Sequence, residues 1–152
     1  YQTGGSVCYD NNPDNGEIYG KLYSYEDALL ACPEGWHLPK ISDFEEMINE
    51  YKDIAKNISG GGSLKEIGTT HWKSPNTGAT NLSDFTALPA GNCINTNGAF
   101  AFYRLGEGAY CWVDKDFDFR WVFLKFDSKV WGNGSAPEST FNYFNSVRYV
   151  KD

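Results

Sequence analysis

The sequence predicts an α+β fold in which two helices come first, a long loop region follows, and a small curled antiparallel sheet ends the chain. Three observations predict it. Residues 24–57 carry helix caps and helical spacing, residues 68–91 are rich in Gly, Pro, Asn and Thr, and strand-like alternation begins near residue 98. Helices followed by strands indicate α+β rather than α/β. With 152 residues and no internal repeat, we expect one domain over residues 1–152.

Residues 4–20 are rich in turn formers, and the first helix is expected after them, over residues 24–32. Ser24 is the predicted N-cap, with Asp27 as its partner three residues later, and Pro33 ends the helix.

The second predicted helix covers residues 42–57, and Ser42 with Glu45 forms a capping-box pattern at its start. Its apolar residues recur at helical spacing: Phe44, Met47, Ile48, Tyr51 and Ile54. The sequence SGGGS at 59–63 is expected to be a flexible turn.

The strands follow the loop region. Four segments have strand character: AFAFYRL (99–105), AYCWV (109–113), FRWVFLKF (119–126) and NSVRYVKD (145–152).

Charge and cysteine usage narrow the function classes. The formal charge of −7 argues against nucleic acid and anionic membrane as partners. No apolar run is long enough to span a bilayer. The four cysteines form no C-x-x-C pair and suit disulfides in an oxidising compartment, with three full pairings open. The cysteine usage therefore favours a protein of an oxidising compartment.

The stretch ACPEGWHLP (31–39) combines Cys32 and His37 in the manner of a catalytic or metal site. A nucleophilic cysteine needs a base and a group that orients the base, and the spacing supplies no such group. We expect scaffold instead, with Trp36, Leu38 and Trp72 in the core. No catalytic residue is predicted.

Two acidic stretches are candidates for a cation site. DNNPDNGE (10–17) places oxygen ligands at alternate positions, but its glycine comes one place late for a calcium loop, so an Asx-rich turn is favoured. Asp114, Asp116 and Asp118 alternate and are favoured as a solvated strand edge. No metal or cofactor is predicted, and calcium has no supporting motif.

The C-terminal part of the chain is unusually aromatic. Side chains alternate along strands, so a small sheet cannot bury all of these aromatics, and some are expected at a binding surface beside short polar groups. The candidate ligand-binding residues are Tyr110, Trp112, Asp114, Asp116, Phe117, Asp118, Phe119, Arg120, Trp131, Asn133, Asn142, Tyr143 and Asn145.

The motifs carry a family resemblance. SYEDALLACPEGWHLPKISDFEEMI (24–48) resembles the opening of C-type lectin-like domains. YGKLYSYEDALLACPEGWHLP (19–39), the block at 68–91 and SVRYVKD (146–152) resemble the Fibrobacter succinogenes major paralogous domain. That resemblance implies a C-type lectin-like fold of the sulfatase-modifying-factor branch, in secreted or surface-anchored proteins, often lipoproteins, of Bacteroidetes and relatives.

Departures from the family matter for the cysteines. Relatives carry a cysteine where this chain has Tyr149, so Cys32 lacks its usual partner, and Gly16 stands in the region where relatives often place a partner for Cys8. A Cys93–Cys111 disulfide is expected first, with Cys8–Cys32 as a second bridge. The family also implies a strand before residue 1. Its absence indicates a trimmed chain, a processed chain, or an edge that is completed by a strand-donating partner.

The resemblance also bears on function. The paired copper-binding cysteines of formylglycine-generating enzymes and the calcium and sugar motifs of animal C-type lectins have no counterpart here. We expect a non-enzymatic extracellular binding or adhesion module for a glycan or protein. The alternatives are a retroelement-diversified receptor-binding protein, a pilus-tip or envelope component, and an enzyme of the formylglycine-generating type.

Overall fold

The structure is a computed structural model and describes residues 5–53, 60–114, 119–136 and 142–152. Within these residues a 3₁₀ turn precedes the first of four helices. The bounds are Tyr9–Asn11 for the 3₁₀ turn, Pro13–Tyr19 (α1), Tyr25–Leu30 (α2), Ile41–Tyr51 (α3) and Gly60–Ser63 (α4).

All the strand pairs are antiparallel. Two short pairs join β1 (Ser6–Val7) to β2 (Leu22–Tyr23) and β3 (Trp36–His37) to β10 (Val150–Lys151). One three-stranded sheet has the order β5 (Ala99–Tyr103), β4 (Asn92–Thr96), β9 (Asn142–Phe144). The other has the order β6 (Gly108–Val113), β7 (Phe119–Lys125), β8 (Trp131–Ala136). The α+β prediction with small antiparallel sheets is confirmed.

The two predicted helices are present with shorter bounds. The Ser24 hydroxyl accepts from the Asp27 N–H at 3.1 Å, as expected of the N-cap of α2. Helix α3 starts before the predicted Ser42–Glu45 box, because the Asp43 carboxylate accepts from the Lys40 N–H at 2.7 Å. It ends at Tyr51, and residues 54–57 of the prediction lie outside the described residues.

Two segments predicted as turns are helical. The Asn12 side chain accepts from the Asp14 N–H at 3.0 Å, so the expected Asx turn serves as the N-cap of α1, with Pro13 at its first position. The glycines of SGGGS form α4 and are buried. A Cβ on Gly61 would lie 2.6 Å from backbone atoms of Val130 and Trp131, so close packing, not flexibility, explains the glycine.

Strand β4 was missed by the prediction, although its turn carries a clear signal. Asn97 and Gly98 have φ of 51° and 89° and join β4 to β5 through a two-residue loop. Asn-Gly is the preferred pair for a tight hairpin because both positions need positive φ. Strand β8 was also missed, and of the predicted segment 145–152 only Val150–Lys151 forms a named strand.

Three clusters of buried side chains lie around these elements. Trp72 is 1% exposed and Leu38 is 3% exposed, which confirms both as core. Trp36 is 43% exposed, so its prediction as a core residue is wrong. It lies in the outer two-stranded pair opposite Lys151, away from the three clusters.

Lys65 is a fully buried cation beneath the loop region. Its ammonium donates to the carbonyls of Thr77, Lys125 and Ser128 at 2.9, 3.0 and 2.9 Å and lies 5.4 Å from the Trp72 ring centroid. Burial lowers its pKa to about 8. The three hydrogen bonds offset part of the cost of burying the charge.

Candidate functional site

A groove of about 410 Å³ runs between the faces of the two three-stranded sheets. This volume lies within the roughly 300–1,000 Å³ that is typical of small-ligand sites. Its lining residues are Asn92, Ile94, Tyr103, Arg104, Tyr110, Trp121, Phe123, Lys125, Gly134 and Tyr143. Five of the ten are aromatic, so rings form much of the groove surface.

Strand β7 forms one wall through simple alternation. Val122 and Leu124 are 4% and 6% exposed and belong to the main apolar cluster. The residues between and beside them therefore point to the opposite face of the sheet. These residues, Trp121, Phe123 and Lys125, line the groove.

Glycines of β8 make room for the two rings of that wall. Gly134 lies opposite Trp121, and Gly132 lies opposite Phe123. A Cβ on Gly134 would approach the Trp121 ring to 2.7 Å, and one on Gly132 would approach the Phe123 ring to 2.4 Å. The rings therefore lie over bare backbone, an arrangement in which an aromatic side chain covers a cross-strand glycine. The two glycines of WGNG (131–134) therefore provide the space that the Phe123 and Trp121 rings occupy.

The groove contains two pairs of neighbouring rings. Trp121 and Tyr143 have centroids 5.2 Å apart and planes inclined by 38°. Tyr110 and Phe123 are cross-strand partners with centroids 6.0 Å apart and planes inclined by 31°. Tyr110 is only 4% exposed, whereas Trp121, Phe123 and Tyr143 are partly exposed, so these three rings supply most of the apolar surface that faces the groove.

Polar groups stand among these rings. Arg104 donates to the Tyr110 hydroxyl at 2.7 Å, and this bond raises the pKa of the guanidinium further above its already high value. The Lys125 ammonium lies 5.2 Å from the Phe123 centroid. The side-chain oxygen of Asn92 is buried and accepts no hydrogen bond in the described part of the protein.

The structure places some of the predicted site residues in the groove and others in the core. Tyr110 and Tyr143 lie in the groove. Trp112 and Asn145 are each 1% exposed, so the expectation that they form a binding surface is wrong. The Trp112 indole donates to the Tyr23 carbonyl at 2.7 Å inside the second apolar cluster. Trp131 packs against the main cluster.

Of the remaining predicted residues, Asp114, Asn133 and Asn142 are described and are not among those that line the groove. Asp114 is exposed and its carboxylate accepts from the Tyr25 hydroxyl at 3.3 Å. Asn133 in β8 and Asn142 in β9 are exposed. Phe119 and Arg120 begin β7. Asp116, Phe117 and Asp118 lie outside the described residues.

Sequence reasoning missed most of the groove. Alternation within 119–126 places Trp121, Phe123 and Lys125 on one face, and this signal was available. Asn92 and Arg104 carry no comparable signal, because their role depends on which strand lies beside which.

All four cysteines are free, so the expected Cys93–Cys111 and Cys8–Cys32 disulfides are not formed in this structure. Cys93 belongs to the third apolar cluster and Cys111 to the first. Burial raises the pKa of the Cys93 thiol to about 12 and that of Cys111 to about 11. Both thiols are therefore neutral and unreactive near neutral pH.

The histidines are bound to carboxylates. His37 Nδ1 lies 2.6 Å from Asp152, and His71 Nδ1 lies 2.9 Å from Glu66. The Cys32 thiol donates to the Trp36 carbonyl at 3.1 Å. Within the described ranges, no group of three or more His, Cys, Asp or Glu residues is arranged to hold a metal ion. Likewise, no described helix is long and apolar enough to cross a membrane.

No curated protein and no solved structure shows significant similarity to the chain. The family comparison is positive: the profile of the Fibrobacter succinogenes major domain (Fib_succ_major) matches residues 1–151. The match covers the helices, the loop region and both sheets. The chain belongs to the Fibrobacter succinogenes major domain family.

Proposed function

We propose that this protein is a non-enzymatic, extracellular binding module with a C-type lectin-like fold, and that its ligand lies in the groove between the two sheets. The observation that carries the proposal is the set of aromatic rings along that groove. Large apolar side chains grouped around a concave surface are typical of ligand and partner sites.

The chemistry of the lining favours binding over catalysis. No carboxylate, histidine, cysteine or serine is among the described residues that line the groove. Hydrolysis and acyl transfer need such groups as nucleophile or general base. Support for the lectin-like fold and the secreted or surface-anchored location comes from the motif at 24–48 and from the order of α2 and α3 followed by the two three-stranded sheets.

Tyr103 offers a test because it lines the groove, is 45% exposed and belongs to none of the three apolar clusters. Tyr103→Ala is expected to weaken binding about tenfold or more, since an aromatic contact is lost. The measurement is a screen of the protein on a glycan and peptide array, with and without calcium, followed by titration of the ligands found.

The matched control is Tyr51→Ala, which removes a tyrosine of similar exposure (38%) at the end of α3. Thermal unfolding of both variants checks that the fold is kept. Equal losses of binding in the two variants, or no ligand on the array for the parent protein, would contradict the proposed function.

A further inference from the structure

Resting on the proposed function, we infer that the ligand of this groove is an acidic oligosaccharide. Its sugar rings lie on the aromatic pairs and its carboxylate or sulfate group lies between Arg104 and Lys125.

The two cations stand at the same end of the groove. The Arg104 carbonyl accepts from the Gly108 N–H at 3.1 Å, and Gly108 is the cross-strand partner of Lys125. The side chains lie over neighbouring rings as well. The Arg104 guanidinium carbon is 5.8 Å from the Tyr110 centroid, and the Lys125 ammonium is 5.2 Å from that of Phe123.

Neither cation forms a direct ion pair with a carboxylate within the described ranges, although the chain carries a formal charge of −7. Glu107 acts on the charge of Arg104 from a distance but is itself bound to Lys73 at 2.8 Å. Asp127, the acidic residue nearest to Lys125 along the chain, is exposed to solvent. Salt screens the distant acidic groups beyond about 10 Å at 0.1 M ionic strength, so the adjacent cations decide which ligand charge is favoured. An arginine fork matches carboxylate and sulfate oxygens particularly well.

The lining favours a sugar over an acidic peptide. The groove walls are formed by sheet faces, and β4 and β7 are the central strands of their sheets. Their backbone groups already bond to neighbours on both sides, so a peptide cannot add to them as an extra strand.

The experiment compares acidic oligosaccharides with their uncharged counterparts by isothermal titration calorimetry. The probes are oligogalacturonate and hyaluronan oligosaccharides with their methyl esters, and carrageenan oligosaccharides with their desulfated forms. At least one acidic probe is expected to bind at least tenfold more tightly than its counterpart. The carboxylate and sulfate arms show which anion is preferred, and a poly-glutamate peptide provides the peptide arm.

Variants connect the preference to the two cations. Lys125→Gln and Arg104→Gln are each expected to weaken binding of the acidic probe about tenfold and to weaken binding of the uncharged counterpart much less, so that the preference for the acidic probe falls. Lys151→Gln makes the same charge change at an exposed site in β10, outside the groove, and should change neither affinity. Thermal unfolding checks that each variant keeps its fold. If Arg104→Gln disturbs the fold through loss of the Arg104–Tyr110 hydrogen bond, Lys125→Gln still tests the inference.

Three outcomes overturn the inference. Equal affinity for charged and uncharged probes makes the ligand a neutral sugar, and binding of poly-glutamate alone makes it an acidic peptide. In both cases the proposed binding function stands. If no probe binds, the acidic-sugar inference is wrong, and the array with Tyr103→Ala decides separately whether the groove binds anything.

Discussion

At the residue scale, Cys8 and Gly16 face each other across the turn between β1 and α1. A Cβ on Gly16 would lie 3.5 Å from the Cys8 Cβ and 2.5 Å from its sulfur. Cβ atoms of natural disulfides are about 3.5–4.5 Å apart, so the backbone is already positioned for a bridge. The free Cys8 thiol is therefore half of a disulfide site whose other half is glycine.

Gly16→Cys is expected to form a disulfide with Cys8 on oxidation and to raise the free energy of unfolding by about 2–3 kcal/mol, because the bridge restricts the unfolded chain. Thiol titration and thermal unfolding with and without reductant measure this. Gly16→Ser is the control of similar size. A variant that stays reduced, or a gain in stability that survives reduction, would contradict the geometry.

At the scale of elements, the buried glycine helix α4 is the clearest case of packing overriding composition. Its Gly60 would collide with Ile48 of α3 if it carried a Cβ, and Gly61 would collide with the backbone at 129–131. The Gly62 N–H donates to the Lys129 carbonyl at 3.0 Å. Helix α4 thus joins α3 to the start of β8, and only glycine allows the approach.

Gly61→Ala is expected to lower the free energy of unfolding by about 3 kcal/mol, since the added methyl meets backbone atoms that cannot rotate away. Gly20→Ala is the comparison. Gly20 has φ of +79° with open space around it, so the change costs only the left-handed backbone strain of about 1–2 kcal/mol. Urea unfolding measures both, and equal costs would show that crowding at α4 is unimportant.

At the scale of the whole molecule, Lys65 links separate parts of the chain. Its ammonium bonds carbonyls of the loop region and of the segment at 125–128, and the Lys65 backbone lies beside Ala87. Lys65→Met leaves three carbonyls without their donor and is expected to cost about 2 kcal/mol or more at pH 7.

The cost of Lys65→Met should also depend on pH. Burial lowers the pKa of Lys65 from 10.5 to about 8. Between these values the unfolded chain holds a proton that the folded protein has released, so the contribution of Lys65 to stability rises with pH and is lost as pH falls through about 8. The stability difference between parent and variant should therefore grow from pH 7 to pH 10.

Urea unfolding at both pH values measures this difference. The buried thiols are the same in parent and variant, so the effect of their titration on stability cancels when the two proteins are compared. Lys151→Met, at an exposed lysine, is the control and should show no such growth. A pH-independent difference for Lys65→Met would contradict the lowered pKa.

Part of this fold could be predicted from local patterns alone. The capping pair Ser24–Asp27, the apolar spacing of α3 and the alternation in β5, β6 and β7 are properties of neighbouring residues, and the structure contains each of these elements. Predictions failed where a local signal had two meanings. Glycines in SGGGS indicate a turn by composition, and only their neighbours at Ile48 and Val130 make them a buried helix.

The groove, too, was predictable in its local patterns but not in its tertiary contacts. The sequence by itself determined the chemistry available: a chain of net −7, rich in C-terminal aromatics, with alternation that places Trp121, Phe123 and Lys125 on one face. Only the tertiary structure decided which aromatics are core, as with Trp112, and which cations join the rings, as with Arg104. The physical reason is that alternation fixes the face of a strand locally, whereas the partner of that face depends on pairings between residues far apart in the chain.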